Sequence, residues 1–243
     1  MEDLRMGYAL ITGGSRGLGL ECAKALRASG HTVLLLAKDE PRLTAAAQSL
    51  GCEYQSVDLE DAESAQEAFA AILATRGAPD ILILAHGVMS EKYSKTFATN
   101  IDEWRRVLSI NLDAVFCALN ILAKPMADAR QGRVIVFSAC LGRMSGPGNA
   151  GGLVPYRVSK AGVNALVRNL AHETLRGKRG FLIDAVCPNH SRTDMGGPNA
   201  PLSAEEGADT AIWLATRPFN AEGTSDQEKS TGVLWEERRV IPW

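Results

Sequence analysis

The chain has 243 residues, 46% of them hydrophobic and 22% charged, and Lys+Arg (26) nearly balance Asp+Glu (28) for a formal net charge of -2. That apolar fraction supports a sizeable core, while the charge balance offers neither the basic face of a nucleic-acid binder nor a polybasic membrane anchor. No uninterrupted apolar run approaches the ~20 residues of a membrane span, and the start Met1-Glu2-Asp3-Leu4-Arg5 lacks the basic and apolar regions of a signal peptide. The five cysteines, Cys22, Cys52, Cys117, Cys140 and Cys187, are scattered and odd in number, so the expectation is reduced thiols in a cytoplasmic setting.

Short β-branched or leucine-rich runs alternate with longer helical ones. Residues 8–12 read as a strand, followed by a glycine turn and a helix over 18–29. A second strand is expected at 32–37, a second helix at 41–50, and a third strand at 54–57. The helix at 64–75 follows from Ala65, Ala68, Phe69, Ile72 and Leu73, which recur at helical spacing. The unbroken apolar run at 81–85 suits a strand buried on both faces. A long helix from Ile101 towards Pro125, a strand at 134–138, a helix over 156–176 and strands at 181–186 and 233–235 complete the pattern. This alternation predicts an α/β fold, a parallel sheet of seven strands with helices on both faces, formed by one domain over residues 1–243. Two loop-like stretches, 142–155 and 188–201, follow strand ends, where open α/β sheets bind ligands.

Thr12-Gly13-Gly14-Ser15-Arg16-Gly17-Leu18-Gly19 lies between the first strand and the first helix. Glycines there permit a tight turn and a close approach of pyrophosphate to the backbone, and the helix N-terminus adds unpaired N–H donors. The spacing Gly-x3-Gly-x-Gly differs from the usual Gly-x-Gly-x-x-Gly fingerprint, and a plain structural turn would use the same glycines. The second strand ends Leu36-Ala37-Lys38-Asp39. Ala37 leaves out the carboxylate that would hold the ribose 2′-hydroxyl of NAD, whereas Lys38 and Arg16 supply two cations for a 2′-phosphate. The reading therefore favours NADP(H) over NAD(H), with Asp39 opposing it if turned inward. Asp58 is placed either to meet an adenine edge or to cap a turn.

Tyr156 and Lys160 are four residues apart on a predicted helix and so share a face. A phenol titrates near ~10 in water, and a cation within about 4–6 Å lowers that value towards the range where acid–base catalysis is efficient.

Together, Thr12–Gly19, Asp58, Asn111 in Ser-Ile-Asn-Leu, Tyr156-x3-Lys160 and the Pro188…Thr193 segment resemble the short-chain dehydrogenase/reductase (SDR) family across essentially the whole chain. The resemblance implies a Rossmann sheet, a nicotinamide cofactor, and a Tyr–Lys–Ser–Asn catalytic group. Tyr156 would exchange the substrate proton, Lys160 would bind the ribose and tune Tyr156, and Asn111 would anchor a relay water. It also implies homodimers or homotetramers built through the long helices around 101–125 and 156–176. The cofactor set carried over is Gly13, Ser15, Arg16, Gly17, Leu18, Gly19, Lys38, Asp58, Leu59, Ala85, Gly87 and Thr193, with Tyr156 and Lys160.

Three segments depart from the family pattern. Counting from Gly132, the serine position is Ala139, and the hydroxyl sits one residue earlier at Ser138. Adjacent strand residues face opposite ways, so Ser138 replaces it only through a bulge; Ser145 is another candidate donor. The family's Asn-Asn-Ala-Gly reads Leu84-Ala85-His86-Gly87, and its Pro-Gly-x-Val-x-Thr reads Pro188-Asn189-His190-Ser191-Arg192-Thr193. Four histidines without ligand spacing argue against zinc, and His86 is expected to stabilise the sheet centre. Two functions follow: a carbonyl or secondary-alcohol oxidoreductase using NADP(H), or an NADP(H)-binding sensor or scaffold with weakened chemistry. Arg143 or Arg192 would meet an acidic substrate unless solvated. The C-terminal Trp243 would dock on its own domain or on a neighbouring subunit.

Overall fold

The computed structural model describes residues 7–91, 94–146, 150–178, 180–218 and 230–243. The chain start, and residues 147–149 of the predicted loop 142–155, lie outside them. The apolar runs become strands and the amphipathic ones helices, alternating up to the last two strands. They are β1 (Tyr8–Thr12), α1 (Gly17–Ala28), β2 (Thr32–Ala37), α2 (Glu40–Leu50), β3 (Glu53–Ser56), α3 (Ala62–Arg76) and β4 (Ile81–Leu84). After them come α4 (Ile101–Asp128), β5 (Arg133–Phe137), α5 (Val154–Glu173), β6 (Leu182–Val186), α6 (Ala204–Thr216), β7 (Leu234–Glu236) and β8 (Arg239–Ile241).

Helix starts are set by short polar side chains that satisfy amides left open in the first turn. Asp39 accepts from Arg42 N ahead of α2, Asn100 from Glu103 N ahead of α4, and Ser203 forms a reciprocal capping box with Glu206 ahead of α6. α4 runs three residues beyond the expected end and contains two π-helical turns, Ser109–Asp113 and Leu119–Ala123. By length and composition α4 would suffice to cross a membrane. Its apolar stripe (Val107, Val115, Ala118, Leu122) is instead buried within this fold.

The strand order is β3-β2-β1-β4-β5-β6-β7-β8. Strands β1 to β7 are parallel, as expected, but the sheet has eight strands and β8 pairs antiparallel with β7. The expectation of seven strands is corrected here. The extra strand comes from a hairpin whose turn residues, Glu237 and Arg238, both have positive φ (48° and 58°). Such turns usually announce themselves by Asn-Gly or Asp-Gly, and neither is present. Trp243 docks on its own domain, packed against the core, and its carbonyl accepts from Ser145 Oγ at 3.4 Å.

Alternate residues of the strands feed two apolar layers, as the period of two requires. On one face Leu10, Leu34, Leu82 and Val134 meet Phe69 of α3, Val115 of α4 and Val163 of α5. On the other, Ile11, Leu35, Ile83 and Ile135 meet Cys22 of α1, Leu43 of α2 and Ala211 of α6. Near the β6–β7 edge, Asp184 and Arg217 form a buried ion pair at 3.1 Å. The guanidinium packs against both the Trp213 and Trp235 rings, 4.9 Å and 4.8 Å from their centroids, the two rings themselves meeting edge-on at 5.1 Å, and Trp235 Nε1 donates to Asp184 Oδ1 at 3.0 Å. Removing one member of such a pair leaves a desolvated charge, which costs about 3–5 kcal/mol. Asp184→Ala is therefore expected to lower the unfolding free energy by about that much in urea titrations. A loss under about 1 kcal/mol would show that the tryptophan pair holds Arg217 without its carboxylate.

Candidate active site

The strand order reverses between β1 and β4, and there the loops after the two strands part to leave a crevice, as open α/β sheets do. A cleft of about 480 Å³ lies at this point. Gly13, Ser15, Arg16, Gly17, Leu18 and Gly19 line it from the turn after β1, Lys38 from the end of β2, and Asp58 and Leu59 from the segment after β3. Ala85, His86 and Gly87 follow β4, and Thr193 closes the far side. The glycines are required sterically: Gly13 has φ +66°, and a Cβ there would stand 2.8 Å from the Ala85 carbonyl oxygen. At Gly19 a Cβ would overlap the Gly13 carbonyl.

The start of α1 is open to an anion. Arg16 at its N-cap makes no capping hydrogen bond, and the first turn carries no acidic residue, so its amides and dipole are uncompensated. Arg16 and Arg42 both pair with Asp194, and Lys38 Nζ lies 2.6 Å from Asp58. Asp39 turns its carboxylate onto Arg42, accepting from the backbone N and the side chain at 3.2 Å each. Open amides and sterically obligatory glycines fit the pyrophosphate of a dinucleotide, and each of the rim cations Arg16, Lys38 and Arg42 is paired with a carboxylate.

The second half of the site is the buried face of α5, where Tyr156, Ser159, Lys160, Val163 and Asn164 recur at helical spacing. The residue before the helix, Leu153, has φ +53°, unfavourable for a leucine, and the turn is fixed by two hydrogen bonds. Val154 N donates to the Ser94 carbonyl at 3.0 Å and Tyr156 N to Ser90 Oγ at 2.8 Å. Lys160 Nζ, buried, donates to the Phe137 carbonyl at 2.7 Å and stands 5.8 Å from the Tyr156 ring centroid. Asn111, in the first π-helical turn of α4, grips the loop after β4. Its Oδ1 accepts from Val88 N at 2.8 Å, and its Nδ2 donates to the Val88 carbonyl at 2.9 Å and to Ser159 Oγ at 3.1 Å. A Cβ on Gly87 would stand 3.3 Å from Asn111 Oδ1 and 3.5 Å from Lys160 Nζ, so this glycine is where the two groups meet.

Ser138 is turned away from this group. Its Oγ donates to Asn164 Oδ1 at 2.5 Å and lies 3.4 Å from the Lys160 carbonyl, under α5. Ala139 instead shares a small apolar cluster with Tyr156 and Val107, edged by Val88, Met89, Leu141 and Leu153. Thr193 Oγ1 accepts from Gly196 N at 3.1 Å, and Arg192 is spent on the carbonyls of Ala200 and Pro201. Sequence reasoning missed Ser90, Ser159, Asn164, Arg42 and Asp194, whose roles depend on contacts between segments far apart in the chain.

Electrostatics correct one expectation. Burial, and then charge at Cys187 and Cys140, push the Tyr156 phenol above its ordinary value, where the neighbouring lysine was expected to lower it. Desolvation is the cause, and the Lys160 ammonium, 5.8 Å from the Tyr156 ring centroid, donates to the Phe137 carbonyl. Burial lowers Lys160 to about 8. His86 Nδ1 lies 2.6 Å from Thr12 Oγ1, tying the ends of β1 and β4, while its Nε2 has no partner among the described residues. Burial, with the Lys160 charge, pushes His86 down to about 3.

A histidine held neutral this way leaves the unfolded chain as the better proton binder between about pH 6.5 and the lowered value, so stability present above pH 6.5 is lost as pH falls. Urea titrations from pH 7 to pH 5 are expected to show a decline of up to ~1.4 kcal/mol per pH unit. His86→Asn flattens that decline; an unchanged slope in the variant would assign it to other groups.

Comparison with known proteins gives the family. A model of the short chain dehydrogenase family matches residues 7–202. Carbonyl reductase (NADPH) 1 of Bos taurus is 30% identical over 97% of this chain and 98% of its own length. The 3-oxoacyl-(acyl-carrier-protein) reductase FabG of Escherichia coli is 31% identical over 77% of this chain and 74% of its own. A solved short chain dehydrogenase from Shigella flexneri, 21% identical, superposes with a TM-score of 0.78 over 94% of this chain and 89% of that one, a likeness of fold. With the family match spanning the glycine turn, Asn111, Tyr156 and Lys160, the chain belongs to the short-chain dehydrogenase family of nicotinamide-dependent oxidoreductases.

Proposed function

We propose that the protein is an NADP(H)-dependent carbonyl reductase, interconverting an apolar ketone or aldehyde with the matching alcohol. The observation that carries the reading is that Lys160 and Asn111 meet at Gly87, a wall of the dinucleotide cleft, with the Tyr156 ring centroid 5.8 Å from Lys160 Nζ. When bound, the nicotinamide supplies or accepts the hydride. The chain supplies the proton chemistry and the boundary around it.

Tyr156 is held neutral by burial and carries a proton at its phenolic oxygen for the carbonyl oxygen in reduction. Lys160, fixed on Phe137, keeps a positive charge beside the phenolate left behind. Asn111 locks the Val88 backbone, which fixes the loop between cofactor cleft and tyrosine. Ala139 contributes no hydroxyl, so carbonyl polarisation rests on Tyr156, and the loss of one such donor corresponds to roughly 3–4 kcal/mol in comparable sites. The cluster of Val88, Met89, Leu141 and Leu153 near the phenol, with the largely exposed Met144 nearby in sequence, favours an apolar substrate.

Preference for NADP(H) is supported by Arg16, Lys38 and Arg42 around the cleft, and by Asp39 being engaged by Arg42. The exposed Ile101 and Phe116 on α4 and Val158 on α5 supply an apolar surface for a homodimer or homotetramer. Five free cysteines suit a cytoplasmic setting.

NADPH consumption over a panel of ketones, aldehydes and diketones tests the reaction. Tyr156→Phe is expected to lose turnover by about 10²–10⁴-fold with NADPH binding retained. Unchanged turnover in the variant would remove Tyr156 from the chemistry. NADPH binding without turnover on any carbonyl would favour the sensor or scaffold reading. Cofactor choice is tested by Arg16→Ala and Lys38→Ala, each expected to weaken NADPH binding about tenfold while leaving NADH nearly unchanged. Equal losses for both cofactors would contradict a 2′-phosphate contact.

A further inference from the structure

Two of the five cysteines come together at the active-site end of the sheet. Cys140 follows Ala139 after β5, Cys187 follows β6, and the Cys140 backbone N–H donates to Cys187 Sγ at 3.0 Å. Given standard covalent lengths, that contact leaves their Cα atoms at most about 7 Å apart, near the span that a disulfide bridges. Cys187 is 2% exposed, whereas Cys140 is partly open. The pair adjoins catalytic machinery: Cys140 neighbours Ala139, which packs with Tyr156, and charge on either sulfur acts on the Tyr156 phenol.

The two thiols are unlike in character. The side-chain hydrogen bond from Cys187, helped by Arg143, holds Cys140 down to about 6, against burial and the Glu236 charge. The same contact, with burial and Glu236, pushes Cys187 up. The partly open Cys140 sulfur is the one a peroxide reaches, and the buried Cys187 sulfur lies beside it as the resolving thiol.

We propose that Cys140 and Cys187 form a peroxide-oxidisable dithiol that cross-links beside Tyr156 and reversibly slows turnover. The Cys140 thiolate attacks one peroxide oxygen, the O–O bond breaks, and hydroxide leaves, giving a sulfenic acid. The Cys187 sulfur then attacks the Cys140 sulfur, an S–S bond forms, the S–O bond breaks, and water leaves. Two thiols are oxidised to one disulfide and one hydrogen peroxide is reduced to two waters. Cross-linking draws the short turn at Cys140–Gly142 onto the end of β6, which shifts the backbone that borders Tyr156. Formation of the cross-link is independent of the carbonyl reductase reading, and only the slowing of turnover rests on it.

The test treats the full chain with hydrogen peroxide near pH 7, followed by alkylation, intact mass and peptide mapping. The expected result is a loss of two hydrogens, three alkylatable thiols where the reduced protein has five, and a peptide pair joined through Cys140 and Cys187, all reversed by dithiothreitol. Turnover of NADPH is expected to fall in step with the cross-linked fraction. Cys187→Ser stops at a sulfenic acid on Cys140 that dimedone traps, and Cys140→Ser leaves residue 187 unreacted. Peroxide-treated protein whose Cys140 and Cys187 stay separate would overturn the cross-link, and full cross-linking with unchanged turnover would overturn its effect on the site.

Discussion

Lys160 carries an ammonium group out of water and onto a single backbone carbonyl, that of Phe137. Burying a cation is costly unless every neighbouring element serves it. Those elements do so here: β5 offers the carbonyl, and Gly87 leaves room that a side chain would fill. Gly142 packs so closely on the Lys160 backbone that its own Cβ would stand 2.7 Å away. Its charge also helps keep His86 neutral, and so reaches the hydrogen bond that joins β1 to β4. Gly87 ties this charge to Asn111 and to the cleft, which it also lines.

The same arrangement divides labour between the two ends of the site. Exposed charges dominate the dinucleotide end, where Arg16, Lys38, Arg42, Asp58 and Asp194 interact in water and each pair contributes modestly. Around Tyr156 the surroundings are apolar, and burial raises the phenol and lowers the lysine. A neutral phenol and a nearby cation form a donor that stabilises negative charge only as it develops on the substrate oxygen, which is where electrostatic catalysis is most effective. Ala139 adds no hydroxyl beside that tyrosine.

Much of the architecture was legible because parallel strands buried on both faces read as unbroken apolar runs, and because glycines mark a turn that no other residue fits. Leu82, Ile83 and the Gly13–Gly19 turn are examples. β8 was not legible, since Glu237 and Arg238 adopt left-handed conformations without the residues that normally signal them. Tyr156 and Lys160 were visible as neighbours one helical turn apart, but the direction of the phenol's shift was not, because it depends on burial by segments far apart in the chain. Ser138 shows the same limit. Sequence counting put a hydroxyl near the right strand end, and only the fold shows it committed to Asn164 beneath α5.

Hydride transfer across the junction of the two half-sites is the central claim, and isotope tracing tests it most directly. NADPH carrying deuterium at both hydrogens of the nicotinamide C4 would be supplied with a ketone that the enzyme turns over, and the alcohol analysed by mass spectrometry. One deuterium on the carbinol carbon of each product molecule is the predicted result. Deuterium retained in the cofactor or lost to solvent, with unlabelled product, would contradict direct transfer and with it the account of this site.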